Sequence, residues 1–77
     1  MKDRFIKLPC YTTTDGMVFF SDIFINPFQI ESYYEVEISY KDESGIPVSK
    51  QGVKIATKSG LDHDIDLPIK EFENILG

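Results

Sequence analysis

Over residues 30–41, IESYYEVEISYK, the side chains alternate without interruption: Ile30, Tyr34, Val36, Ile38 and Tyr40 fall on one side, Glu31, Tyr33, Glu35, Glu37 and Lys41 on the other. A period of two does not fit a helix and predicts a half-buried antiparallel strand. One such strand cannot bury its apolar face alone, so the remainder of a 77-residue chain must supply neighbouring strands and a cover. That length allows a single domain, 1–77, with one small core.

Two further β-rich runs precede it. Over residues 5–11, FIKLPCY, Ile6, Leu8 and Cys10 alternate with Phe5, Lys7, Pro9 and Tyr11. Proline lacks a donor, so Pro9 predicts an edge or bulged strand. Asp15-Gly16 suits a two-residue type I′ turn, and GMVFFSDIFIN resumes the pattern, which predicts a hairpin over residues 5–25. With Asp15 and Gly16 central, Leu8 pairs with Ile23 and Ile6 with Ile25 on one face, Tyr11 with Phe20 and Lys7 with Phe24 on the other. Both faces of the hairpin are apolar. Asn26-Pro27 predicts a turn before the long strand.

Downstream, DESGIPVSK reads as a loop and GVKIATK as a strand, with Ser59-Gly60 turning the chain. At the end, LPIKEFENILG changes period, and Ile69, Phe72, Ile75 and Leu76 form one helical stripe. Pro68 suits the first turn, and Glu71 and Glu73 favour the positive end of the helix.

Residues 62–73, DHDIDLPIKEFE, place Asp62, Asp64, Asp66 and Glu73 at positions one, three, five and twelve, the carboxylate spacing of a calcium loop. The sixth position of such a loop needs glycine, and here it is Leu67; the upstream TKSG is a turn where a helix is needed. A strand over residues 61–67 fits better. With a three-residue turn at 59–61, Ile65 lies opposite Ile55 and Leu67 opposite Val53, while Asp62 faces Lys58 and Asp66 faces Lys54. Placing Glu35 and Glu37 beside the same lysines gives a solvent face striped acid, base, acid. No metal and no cofactor is expected.

The balance of 13 acidic against 8 basic residues, net charge −5, argues against nucleic-acid or anionic-membrane binding. The lone Cys10 and lone His63 carry no signature linking them as nucleophile and base, and there is no Gly-rich phosphate loop. Enzymatic activity is therefore not expected. No run approaches the roughly 20 apolar residues of a membrane span, no signal-peptide pattern opens the chain, and a single cysteine suits a reducing compartment, so a cytoplasmic location is the expectation.

The functional content lies in the aromatic excess, 6 Phe and 4 Tyr. Tyr11, Phe20 and Phe24 share one hairpin face, with Phe28 and Tyr33 near them, and one helix can shield only one face of a sheet. Either the sheet curls into a partial barrel, or the patch meets another protein or a second copy as a homodimer. The expected fold is α+β, a twisted, mainly antiparallel sheet of about five strands with one C-terminal helix. The expected role is that of a small adaptor or regulator, with the aromatics as anchors and Glu31, Glu35 and Glu37 steering the approach. The alternative is an acidic, phage-type inhibitor that occupies a basic nucleic-acid-binding surface of a host protein.

The stretches FIKLPCY, DG, INPFQIESY, GVKIAT and LPIKEFENIL resemble, in that order, the short bacterial and phage proteins typified by the flagellar FlbD family, linked to swarming motility. The resemblance implies a small protein acting through contacts, with a motility role and no catalytic residues. The loop over residues 42–50 and the SDIF segment are longer than that pattern.

Overall fold

The structure, a computed structural model, describes residues 4–15 and 17–77. It comprises β1 (Ile6–Thr14), β2 (Met17–Ile25), a 3-10 turn (Pro27–Gln29), β3 (Ile30–Lys41), β4 (Pro47–Thr57), β5 (Asp62–Ile65) and α1 (Ile69–Leu76). The strands form one open antiparallel sheet in the order β2-β1-β5-β4-β3, which with the single helix is the small α+β architecture expected. Two long hairpins, β1–β2 and β3–β4, are joined by the four residues of β5.

The first hairpin has the expected register: Ile6 opposite Ile25, Lys7 opposite Phe24, Leu8 opposite Ile23, Tyr11 opposite Phe20. Thr14 pairs with Met17, which leaves two residues for the turn. Asp15 takes the left-handed φ of 53° that a type I′ turn requires, and Gly16 lies outside the described residues. Pro9, however, is neither at an edge nor in a bulge, since β1 lies between β2 and β5. It is tolerated because the β1–β5 ladder runs only over Cys10 and Tyr11, so no acceptor of that ladder needs its missing N–H. Its carbonyl still accepts from the Asp66 N–H at 2.9 Å. Asn26 caps the 3-10 turn, its Oδ1 accepting from the Phe28 N–H at 3.0 Å.

The other two hairpins close with the same three-residue loop. In DESGI the Asp42 N–H donates to the Ile46 carbonyl (3.0 Å) and the Gly45 N–H to the Asp42 carbonyl (2.9 Å); in TKSGL the Thr57 N–H donates to Leu61 (3.0 Å) and the Gly60 N–H to Thr57 (3.0 Å). Gly45 and Gly60 take φ of 79° and 88° at the third loop position, as a type I turn with a glycine bulge demands. The first side chain ties each loop: Asp42 Oδ1 accepts from Ser44 and Ile46, and Thr57 Oγ1 accepts from Leu61.

This geometry corrects two expectations. The loop expected over residues 42–50 ends at Ile46, and β4 starts at Pro47. The turn expected at 59–61 sits at 58–60, because Gly60, and not Leu61, must take the left-handed position. The β4–β5 register therefore moves by two residues: Val53 lies opposite Ile65, Ile55 opposite His63, Lys54 opposite Asp64 and Ala56 opposite Asp62. An even shift preserves the faces, so the aspartates stay with the lysines.

A bulge between Ile30 and Ser32 shifts the β3–β4 register, after which Tyr33 pairs with Ile55, Glu35 with Val53, Glu37 with Gln51 and Ile38 with Lys50. Ile30 thus leaves the face of Tyr34, Val36, Ile38 and Tyr40 and packs against the core on the other side. That core, on what we call the helix face, comprises Leu8, Cys10, Ile25, Val53, Ile55, Ile65 and Phe72. The eight-residue helix is too short to persist alone and is held by burying Phe72 on it. Ile69 and Leu76 flank Phe72 at the core margin, while Ile75, expected on the same stripe, is 38% exposed. Arg4 secures the far end, its guanidinium donating to the carbonyls of Leu76 (3.0 Å) and Ile75 (3.4 Å) where the helix dipole is negative.

The opposite, open face has its own apolar centre. Ile38, 1% exposed, packs apart from the main core, over Gly52. A Cβ at position 52 would collide with the Ile38 side chain and would stand 2.7 Å from the Ile65 carbonyl oxygen. Gly52→Ala is therefore expected to cost about 1 to 3 kcal/mol of unfolding free energy, as overpacking does. Phe72→Ala, which empties the centre of the helix face, is expected to cost about 3 to 5 kcal/mol. Urea titration checks both; a Gly52→Ala midpoint equal to wild type would contradict the close approach.

Candidate functional site

The edge strand β2 carries three exposed aromatics, Phe19, Phe20 and Phe24, and its register fixes what its backbone offers. Across a two-residue turn the Thr14/Met17 pair is hydrogen-bonded, so alternate pairs from there exchange both bonds. Between them Val18, Phe20, Asp22 and Phe24 turn N–H and C=O away from β1. Their side chains all project on the open face, with Phe20 51% and Phe24 71% exposed. Tyr11, opposite Phe20, is half-buried, and its phenol is pushed up by burial and by the negative charges of Asp64 and Asp66.

Phe20 also meets the far edge of the sheet. Its ring stands edge-on to Tyr40 of β3, centroids 5.8 Å apart, so the sheet curls over its open face. Among the described residues no ladder joins β2 to β3. Lys50 Nζ lies 5.2 Å from the Phe20 centroid and 5.8 Å from that of Tyr40, within cation–π range of both. The same ammonium donates to Asp66 Oδ1 at 2.8 Å, which pushes the Lys50 pKa up despite its partial burial. A groove of about 610 Å³ beside this cluster is lined by Met17, Val18, Phe20 and Tyr40, with Glu43 toward the β3–β4 loop. Tyr40 and Lys50 were not among the sequence candidates. Lys50 lay in a stretch read as loop, and the repeated pattern Asp/Thr-x-Ser-Gly-Ile/Leu was the signal that would have placed it in a strand.

The remaining candidates separate. Phe28, 58% exposed, sits on the 3-10 turn. Tyr33 does not join the hairpin aromatics: its pairing with Ile55 turns it to the helix face, where its ring meets Phe72 edge-on at 5.0 Å. Its hydroxyl donates to Glu73 Oε2 at 2.9 Å, and that bond pushes its phenol up. Glu35 and Glu37 are exposed on the helix side, opposite Val53 and Gln51, and Glu31 stands at the bulge. The acid-base-acid stripe is therefore not formed: the β3 carboxylates and the lysines lie on opposite faces. In place of the expected Asp62–Lys58 and Asp66–Lys54 pairs, the open face has Lys50–Asp66 at 2.8 Å and Lys54–Asp64 at 3.6 Å. Partly exposed pairs of this kind contribute at most about 1 kcal/mol each.

The calcium-like window disperses as well. Asp64 and Asp66 are engaged by lysines on the open face, while Glu73 bonds Tyr33 on the helix side. Among the described residues no three carboxylate, histidine or cysteine side chains converge as a metal site would need. Cys10 and His63 border one shallow hollow of about 300 Å³. The Cys10 thiol is pushed up by burial, the reverse of what an activated nucleophile requires.

The architecture is that of a small α+β protein with two sheet edges, β2 and β3, and one sheet face that the helix does not cover. No helix among the described residues is long and apolar enough to cross a membrane. Comparison with known proteins matched no family model, no curated protein and no solved structure.

The raised Lys50 pKa has a defined sign. Its contribution to stability is complete below the ordinary lysine value of 10.5 and is lost as pH rises through the higher folded value. Between about pH 9 and about pH 12 the wild type should lose more thermal stability than Lys50→Gln does. Melting curves across that window test this; equal losses would show that Asp66 does not hold the ammonium.

Proposed function

We propose that this chain is a non-enzymatic interaction protein, an adaptor or small regulator, which engages a protein through the open face of the β1–β2 hairpin. The observation that carries the reading is the exposure of Phe20 and Phe24 on an edge strand whose backbone groups at the same residues are also unpaired by β1. Aromatic rings on a fixed strand lose little side-chain entropy on docking and serve as anchors. Tyr11 and Tyr40 flank Phe20, and Lys50 beside it adds a cation in an otherwise acidic chain.

A second reading keeps the acidic inhibitor. Glu35 and Glu37 face Val53 and Gln51, so no β4 cation neutralises them across the strand, and with Glu31 they form a carboxylate row suited to a basic surface. Salt separates the two readings, because exposed charge pairs are screened and apolar contacts are not.

The test is solution mass by light scattering over a tenfold concentration range in low and high salt, with chemical cross-linking to cell extract alongside. Assemblies or adducts that persist in high salt and disappear in Phe20→Asp are the expected outcome. Adducts that dissolve in salt and depend on Glu35 and Glu37 would replace this reading with the acidic one. A monomer that yields no adduct sensitive to Phe20 would remove the aromatic reading.

A further inference from the structure

We infer that β2 is a strand-addition edge whose occupant is β2 of a second copy, paired antiparallel about a two-fold axis at Ser21, so that two five-stranded sheets continue into one. This deepens the interaction reading and rests on it. Val18, Phe20, Asp22 and Phe24 offer outward N–H and C=O groups at two-residue intervals, the template that a new antiparallel strand requires. Strand β2, MVFFSDIFI, is long and apolar and carries one charge, whereas proteins that leave an edge free normally break it with several charges, proline or a bulge.

The opposite edge supplies the contrast. Strand β3 has Glu31, Glu35 and Glu37 against one cation, Lys41, and a bulge, so two copies of a chain of net charge −5 are disfavoured there. On β2 the single carboxylate, Asp22, has Lys7 4.0 Å away. That makes β2 the edge by which this acidic chain can meet itself.

Register follows from parity and charge. A two-fold at Ser21 pairs Phe20 with Asp22 and Val18 with Phe24 of the second copy, each turning outward backbone groups to outward groups, and it uses all nine residues. A slip of one residue would set outward groups against inward ones. Centring on Asp22 would put two aspartates directly opposite. Centring on Phe20 would leave Phe24 and Ile25 beyond the paired strand. In the Ser21 register Asp22 of the second copy comes beside the Phe20 ring, over which Lys50 already sits, so a carboxylate approaches a cation on each side of the two-fold, near the centre of the ladder.

Ser21 would then face its own copy as a non-hydrogen-bonded pair, with Cα atoms roughly 4.5 Å apart, inside the disulfide range of roughly 4.4 to 6.8 Å. The experiment combines Ser21→Cys cross-linking under mild oxidant with the solution mass of Asp22→Pro. Cys10 is buried and stays in place, and Ser39→Cys on β3 serves as the control edge. Proline at position 22 removes a donor that faces away from β1, so it blocks the new ladder and leaves the hairpin bonds intact. Expected results are a concentration-dependent dimer, a covalent Ser21→Cys dimer with Ser39→Cys still monomeric, and self-association at least about tenfold weaker for Asp22→Pro. Ser21→Cys also keeps the test decisive if the proline variant fails to fold. A wild type that stays monomeric, or a dimer in which Ser21→Cys does not cross-link, overturns strand pairing. If Phe20→Asp abolishes a dimer that Asp22→Pro preserves, strand addition falls while the aromatic reading stands.

Discussion

Four residues, Asp62–Ile65, join the two halves of this fold, and every other feature is arranged around them. Strand β1 reaches β5 through only Cys10 and Tyr11, and β4 reaches it through residues 53–56. On the helix face, Ile65 is fully buried between Val53 and Cys10, in the cluster that Phe72 completes. On the open face, Asp64 and Asp66 extend to Lys54 and Lys50 of β4. So short a ladder supplies few hydrogen bonds of its own. The hairpins are kept together chiefly by burial on one side, with the ion pairs a smaller term, since apolar side chains buried in full contribute about 1.5 to 3 kcal/mol each against at most about 1 for a partly exposed pair.

That economy leaves an imbalance. The helix covers one face, and the other is covered only where the sheet curls enough to bring Phe20 against Tyr40 and to press Ile38 over Gly52. Curling without a β2–β3 ladder leaves the edges unpaired, and the two edges differ in chemistry. Strand β3 is lined with carboxylates, as a protected edge is, while β2 has aromatic side chains and a single aspartate. The interaction reading grows from this difference, because at Phe20 and Phe24 an exposed ring and backbone groups turned away from β1 occur at the same residue.

Much of the fold was legible from periodicity and turn chemistry. Alternation and Asp15-Gly16 were enough for the β1–β2 register, since a two-residue loop admits only one pairing. The helix was legible from its change of period. The sheet faces were harder. Alternation says which residues of a strand go together but not which side of the sheet they take, and the tight loop ending at Gly45 put the apolar side of β3 opposite that of β4. The bulge near Glu31 left no mark in the sequence, and it separated Ile30 from the residues with which it alternates. Tyr33 kept its alternation with Glu35 and Glu37 but was misplaced because that side of β3 turns to the helix face, and with it went the idea of a single aromatic patch. Lys50 was lost when Gly-Ile-Pro was read as prolonging a loop; proline at the first residue of a strand is permitted, and β4 begins on Pro47.

The position of Lys50 connects stability to the candidate surface. A lone lysine on an apolar face costs solvation, yet here one ammonium is shared among Asp66, the Phe20 ring and the Tyr40 ring. Asp66 follows β5, Phe20 belongs to one edge strand and Tyr40 to the other, so this cation touches the seam of the sheet and both its margins. Its bond to Asp66 favours the charged form, and a charged Lys50 reinforces the contact of the two hairpins where no backbone ladder does so. The same contact sets the orientation of Phe20. A ring held by a neighbouring aromatic and a fixed cation is already ordered before any partner arrives, which lowers the entropic cost of using it as an anchor.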